Sequence, residues 1–277
     1  MPEDRYAAAM LEHYGRGEEA DRLVTANAGP LEFERTQEIV LRRLPPPPAV
    51  IADIGGGTGR YALWLAGLGY RVVHRDIVPD HVEQLRSAAG LDGAVETAVG
   101  DARSLDLADE SVAAVLLLGP LYHLPRQEDR AQTLREARRI VQPGGAVFGA
   151  AVSCWAARLD GVLRERIYER GSEMLEVIDS VERTGVLPPL AQGAYTAYTH
   201  RPRQLQAEFE SVGLTVADLV SVEGAAFLLG GSDLTERMAD PRARLAILDS
   251  ARAHERVPEL LGLGPHLVAT GLRPGTG

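Results

Sequence analysis

The sequence predicts an α/β fold built on a doubly wound, mostly parallel sheet. Three observations predict it. Short apolar strands alternate with helical segments from residue 49 to residue 152. The run at 112–118 is apolar at every position, as expected of a strand covered on both faces. A glycine-rich loop joins the first strand to the first helix of the alternation, where a nucleotide-like ligand meets free main-chain N–H groups.

The elements follow in order. Residues 1–44 carry a partly helical apolar pattern, with Leu31, Phe33, Ile39, Val40, Leu41 and Leu44 on it. Pro45 to Pro48 cannot continue a helix and read as a stiff spacer, so 1–48 form an N-terminal helical lid with its linker. Strands are expected at 49–54, 71–76, 94–99, 112–118 and 146–152, with helices at 61–68, 79–89 and 130–141 between them. Pro79 suits a first helical turn, and Gly90 stops that helix. The rhythm then breaks. Residues 155–192 show no strand signal, and 155–195 read as a helical cap, with Leu159, Val162, Leu163, Ile167, Leu175 and Ile178 at helical spacing. A helix at 204–212, a strand at 215–222, a helix at 241–254 and a strand at 266–272 complete one domain over 49–277.

Composition bounds the function. Of 277 residues 45% are hydrophobic, enough for a sizeable core. The net charge of -10 and the lack of any Lys/Arg run disfavour a nucleic-acid partner. The first ten residues have no apolar run of signal-peptide type, and no apolar run is long enough to cross a bilayer. With a single cysteine, Cys154, the reading is a cytoplasmic protein away from membranes. No His/Cys/Asp/Glu grouping has the spacing of a metal site.

The loop reads Asp53-Ile54-Gly55-Gly56-Gly57-Thr58-Gly59. It lacks the Gly-Lys-Ser/Thr of a phosphate-binding P-loop. Against the dinucleotide pattern G-x-G-x-x-G the sixth position is Arg60 or Ala62, depending on the start, so NAD is weakened and stays open. An acid on the strand followed by G-x-G-x-G resembles motif I of the class I S-adenosylmethionine (SAM)-dependent methyltransferases. The resemblance runs in order along 49–152. It includes Asp76 at the end of the second strand, Gly100-Asp101-Ala102 after the third, Leu118 to His123 after the fourth, and Gln142-Pro143-Gly144-Gly145 before the fifth.

The resemblance implies a seven-stranded sheet with one antiparallel strand near its edge, and SAM as cofactor with S-adenosylhomocysteine as product. It implies cofactor contacts from Asp53, Gly55, Gly57, Asp76, Asp101, Ala102 and Leu118, and from Tyr14 as an aromatic closing over SAM. Asp76 would bind the ribose hydroxyls, since one carboxylate can accept from two neighbouring hydroxyls. Asp101 either holds the adenine or caps its own turn, and Asp53 either caps the glycine turn or also orients SAM. His123 is the candidate base, because an imidazole exchanges protons near neutrality. The alternative is that it only packs beside the cofactor. Tyr122 either orients substrate or buries its ring. Tyr195, Tyr198 and His200 either line the substrate pocket or sit in a loop with partly exposed rings. Glu128, Asp129 and Arg130 read as a solvated helix start, Trp155 as a cap anchor and His266 as structural. Gly119-Pro120-Leu121-Tyr122 departs from the Asn/Asp-Pro-Pro-Tyr motif, which argues against nucleobase and protein amide acceptors.

The expected activity is methyl transfer to N or O of a small molecule, in specialised metabolism by analogy. The rivals are an NAD-linked oxidoreductase and a SAM-binding protein of the same fold that transfers nothing. A homodimer is left open.

Overall fold

The structure is a computed structural model that describes residues 5–14, 29–88, 93–190 and 194–275. The 15–28 part of the expected lid and the expected helix end at Ala89 and Gly90 lie outside the described residues. Two helices precede the sheet, α1 (Arg5–Tyr14) and α2 (Gly29–Leu41). Then follow β1 (Val50–Ile54), α3 (Arg60–Gly67), β2 (Arg71–Asp76), α4 (Pro79–Ser87), β3 (Val95–Val99) and β4 (Val112–Leu117). The short α5 (Pro120–His123) leads into α6 (Gln127–Ile140) and the long β5 (Val141–Ser153).

The sheet is the one the alternation predicts. β3, β2, β1, β4 and β5 lie side by side and parallel. Near the chain's end are β8 (Thr215–Ser221) and β9 (His266–Leu272). β9 pairs antiparallel with β5 from Ala146–Leu272 to Val152–His266, and β8 pairs antiparallel with β9. These seven strands form a mostly parallel sheet whose one antiparallel strand lies next to the edge. Successive residues alternate between two cores, as the strand period of two requires. Ala52, Ile54, Val115 and Leu117 pack with Leu134 and Phe209 on one face. Ile51, Ala114 and Leu116 pack with Leu65 and Phe148 on the other.

The helices have local reasons for their ends. α4 starts with proline in its first turn. α6 has Glu128 and Asp129 in its first turn and Arg138 and Arg139 in its last, signs that suit the helix dipole. α11 (Pro241–His254) is capped by Asp240, which accepts from the amides of Arg242 and Ala243. α10 (Gly231–Ala239) and a 3-10 turn at Gly224–Leu229 precede it, in a stretch without an expected element.

The cap holds α7 (Ala156–Leu163), a 3-10 turn at Ile167–Arg170 and α8 (Glu173–Thr184). It also holds what the sequence reading missed. β6 (Val186–Leu187) pairs antiparallel with β7 (Ala197–His200), and β7 extends the end of β5 through Val152–Thr199 and Ser153–His200. Tyr198 and His200 are therefore strand residues, 6% and 0% exposed, and not loop residues with exposed rings. Their partners lie in the core. The Arg130 guanidinium stacks on the Tyr198 ring at 3.5 Å and pairs with Glu208 of α9 (Pro202–Ser211), whose carboxylate also meets His200 Nε2 at 3.2 Å. Arg130 is 1% exposed, which corrects the solvated helix start expected there. Sequence pattern placed it at a helix terminus, while tertiary pairing with Glu208 buries it.

Candidate active site

The carboxyl ends of β1, β2, β3 and β4 meet at one edge of the sheet, and a cleft with about 1160 Å³ of empty space, part of it open to solvent, lies over them. Its floor is the glycine loop. At Gly55, where φ is +64°, an added Cβ would lie 2.6 Å from Pro120 Cγ, and at Gly56 it would lie 2.5 Å from Asp53 Oδ2. Only glycine lets the chain turn here and lets a ligand approach its main chain closely.

Two side chains from β2 hold Gly57 from both sides. Its N–H donates to Asp76 Oδ2 at 2.8 Å. Its carbonyl lies 3.1 Å from His74 Nε2. A carbonyl only accepts, so Nε2 carries the proton, and Nδ1 takes its bond at 2.9 Å from the Thr97 hydroxyl. Burial holds the His74 pKa below the usual value, which keeps this tautomer neutral.

Asp76 Oδ1 accepts from the Val78 amide at 2.9 Å and from His81 Nδ1 at 3.2 Å. Burial pulls the Asp76 pKa up, yet the His81 hydrogen bond and the Val78 and Gly57 amides outweigh it, so the carboxylate stays ionised below its usual range. Asp53 is the opposite case. It is fully buried beneath the loop, and neither oxygen has a well-formed hydrogen bond. Burial, then the charge of Asp76, push its pKa up to about 7, with only a weak opposing pull from the Ala62 amide.

This shift has a stability consequence. An unfolded aspartate titrates near its ordinary value, so from there to about pH 7 the folded chain holds a proton that the unfolded chain has lost. Stability is therefore full below the unfolded pKa and is lost as pH rises through the folded one. Asp53→Asn should remove that slope. Urea unfolding is expected to show the variant more stable than the parent by roughly 3 kcal/mol at pH 8 and equal to it near pH 4. A gap that does not change with pH would contradict this electrostatic account.

Of the residues expected to touch cofactor, Tyr14, Gly55, Gly57, Asp76, Asp101, Ala102 and Leu118 line the cleft, as do Tyr122 and His123. Asp53 supports the loop from below. Asp101 accepts from the Arg103 amide at 2.8 Å and pairs with the Arg103 guanidinium at 2.7 Å, so its carboxylate braces its own turn as well as facing the cleft. The Tyr122 hydroxyl donates to the Leu118 carbonyl at 3.1 Å, which fixes the turn after β4. The Tyr14 hydroxyl lies 3.1 Å from His123 Nε2 and 3.4 Å from the Tyr195 hydroxyl. Tyr14 also packs edge-on to His81, with ring centroids 5.5 Å apart. Tyr195 thus joins the site through Tyr14 and His123, while Tyr198 and His200 do not border the cleft. His74, His81 and Arg103 are contributors the sequence reading missed. His81 had a visible signal, since it stands on the helix that Pro79 starts directly after Asp76.

The site residues fit SAM. An orphaned buried carboxylate underlies the loop, glycine main chain faces the cleft, and an ionised aspartate ends β2. The comparisons agree. A methyltransferase-domain family matches residues 52–149. The ubiquinone/menaquinone biosynthesis C-methyltransferase of Acidiphilium cryptum is 33% identical over 140 residues, which is 49% of this chain and 53% of that protein. The chain spans about half the length of that relative, and less of the next ones. A SAM-dependent methyltransferase from Methanosarcina mazei shares the fold at a TM-score of 0.59 and 18% identity, over 86% of this chain and 98% of that one. The 1,6-didemethyltoxoflavin-N1-methyltransferase of Burkholderia thailandensis, solved with its substrate and S-adenosylhomocysteine, does so at 0.56 and 16% identity, over 98% and 89%. Among the described residues no helix is long and apolar enough to cross a membrane. The Asp53-to-Gly59 loop and Asp76 lie within the segment that matches the methyltransferase-domain family, and the sheet is that of the SAM-dependent methyltransferase fold.

Proposed function

We propose that the chain transfers a methyl group from SAM to an N or O atom of a small acceptor carrying an aromatic or conjugated ring. The observation that carries this reading is the meeting of Tyr14, His123 and Tyr195 beside the glycine loop. They come from α1, from α5 after β4 and from the part of the cap between β6 and β7, so three parts of the chain enclose one small space. Tyr6, Met10 and Tyr122 extend the same wall. Aromatic walls stack on flat acceptors and keep water out. An enclosed space suits a small molecule better than a folded protein or RNA. The relative from Acidiphilium cryptum, by its name a C-methyltransferase of quinone biosynthesis, supports a small ring-bearing acceptor and not the choice of N or O.

SAM supplies a methyl group on a positive sulfonium, which needs an aligned nucleophile more than it needs activation. The roles of the chain's residues follow from where they stand. Asp76 accepts from ribose hydroxyls, and His81 and Val78 hold its carboxylate in place. Gly55 and Gly57 offer main chain to the cofactor, Asp101 and Ala102 border its base, and Leu118 borders the reacting end. The His123 imidazole takes the proton that an oxygen or nitrogen nucleophile must lose. Tyr14 holds that imidazole and closes the space over it.

Calorimetric titration with SAM, S-adenosylhomocysteine and NAD tests the cofactor, and S-adenosylhomocysteine release on phenols and heteroaromatic amines tests the transfer. SAM binding without turnover on any acceptor would favour the SAM-binding protein that transfers nothing. NAD binding alone would return the oxidoreductase reading. With an acceptor in hand, His123→Ala should lower kcat about 100-fold or more while SAM affinity stays within about 3-fold. A kcat near that of the parent would leave His123 a packing residue.

A further inference from the structure

Arg60 opens α3 directly after Gly59, where the glycine loop ends, and it lines the cleft. The residue is exposed. Its guanidinium carbon lies 5.3 Å from the centre of the Phe33 ring of α2. Phe33 in turn packs on Tyr61, with ring centres 5.1 Å apart. A cation over the face of a ring is held only loosely where water reaches it. Among the described residues no carboxylate pairs with Arg60.

The other charged side chains of the cleft suit a cation. Arg103 is the second guanidinium on its lining, and it is tied to Asp101 at 2.7 Å and to Asp129 at 3.6 Å. Asp76 is a further ionised carboxylate on the same lining. SAM brings both signs. Its sulfonium and α-ammonium are positive, and its α-carboxylate is negative. S-adenosylhomocysteine keeps the ammonium and the carboxylate. A carboxylate taken out of water without a cation beside it is costly. Arg60 is the guanidinium of the cleft that can meet it without first giving up an acid.

Covalent order decides which end of SAM comes to Arg60. With its base at Asp101 and Ala102 after β3 and its ribose at Asp76 after β2, the amino-acid chain extends over the glycine loop on the side away from β3. β1 leads into that loop and lies between β2 and β4, and α3 starts where the loop ends. We propose that Arg60 binds the α-carboxylate of SAM and of S-adenosylhomocysteine. A guanidinium meets a carboxylate edge-on, through two parallel N–H donors, and its face stays free to rest on a ring. Phe33 therefore holds Arg60 ready without neutralising it. The cofactor then has an anchor at each end of its flexible part, Asp76 at the ribose and Arg60 at the carboxylate. Two anchors fix the sulfonium between them and align its methyl group for attack. This role rests on SAM as the cofactor and is independent of the acceptor.

The test is calorimetry on the full chain with two ligands. One is S-adenosylhomocysteine, and the other is its decarboxylated analogue, which keeps the nucleoside, the thioether and the amine. Arg60→Met removes the charge and keeps an unbranched apolar stem. It should weaken S-adenosylhomocysteine binding by about tenfold or more and change binding of the analogue by less than about twofold. Circular dichroism should not change, since the side chain is exposed. Arg60→Lys should fall between parent and Arg60→Met, because an ammonium supplies charge without the fork. Equal losses for both ligands, or S-adenosylhomocysteine held as well by Arg60→Met as by the parent, would overturn the role of Arg60 and leave SAM as the cofactor. A parent that binds no S-adenosylhomocysteine would overturn the cofactor and this role together.

Discussion

Asp76→Ala is expected to weaken SAM and S-adenosylhomocysteine binding by about 100-fold or more, on the order of 3 kcal/mol. The size follows from what this one carboxylate does. It holds the Gly57 amide, the Val78 amide and His81 Nδ1 at 2.8, 2.9 and 3.2 Å, so it ties the glycine loop to the start of α4. Asp76 lines the cleft, and these three bonds leave one acceptor site on Oδ2. The substitution therefore removes a charged acceptor for the cofactor and frees the loop that offers main chain to it. Unfolding should not account for the loss. The Asp76 charge helps to push the Asp53 pKa up, and its removal relieves a buried carboxylate that has no good partner. Calorimetry with S-adenosylhomocysteine measures the effect without any acceptor, and circular dichroism checks the fold. A change of less than about fivefold would mean that Asp76 only braces the loop and that ribose recognition lies elsewhere.

The sequence made the cofactor half of this site legible for a local reason. Strand, glycine turn, helix and strand-end acid are consecutive in the chain, and each is marked by residue types with restricted backbone or burial behaviour. β4 was visible because a strand covered on both faces must be apolar throughout. The rest depends on contacts that sequence distance hides. Tyr14, His123 and Tyr195 come together only through the packing of α1 and the cap. β7 went unseen because it is four residues long and its apolar and polar positions are all buried. A buried strand of that length does not alternate, and the alternation is what marks a strand in sequence. The same burial explains the misplacement of Arg130. At a helix start an arginine is ordinarily solvated, and nothing near it in sequence announces Glu208.

That buried pair supplies the largest expected effect on stability. Arg130→Met should destabilise the chain by about 3–5 kcal/mol, because it leaves the Glu208 carboxylate without its cation. The arginine does more than balance charge. It donates through Nε and Nη2 to Glu208 and through Nη1 to the Leu124 and Pro125 carbonyls, and it covers the Tyr198 ring. One side chain thus ties α6 to α9, to β7 and to the segment that carries His123. The pH dependence gives the test its direction. His200 sits 3.2 Å from Glu208, and its pKa is lowered by burial first, against the pull of Glu208, with the Arg130 charge adding to the lowering. Stability from the neutral His200 is present above the unfolded pKa and is lost as pH falls through the folded one. Without Arg130 the imidazole gains a proton more easily, and the resulting ion pair with Glu208 replaces part of what was lost. The penalty of Arg130→Met should therefore be smaller at pH 6 than at pH 8, measured by urea unfolding at both. Arg130→Met combined with Glu208→Leu should recover much of it at pH 8, since no buried charge is then left over. A penalty under about 1 kcal/mol, in the range of an exposed pair, or one equal at both pH values, would mean that Glu208 finds water or another cation.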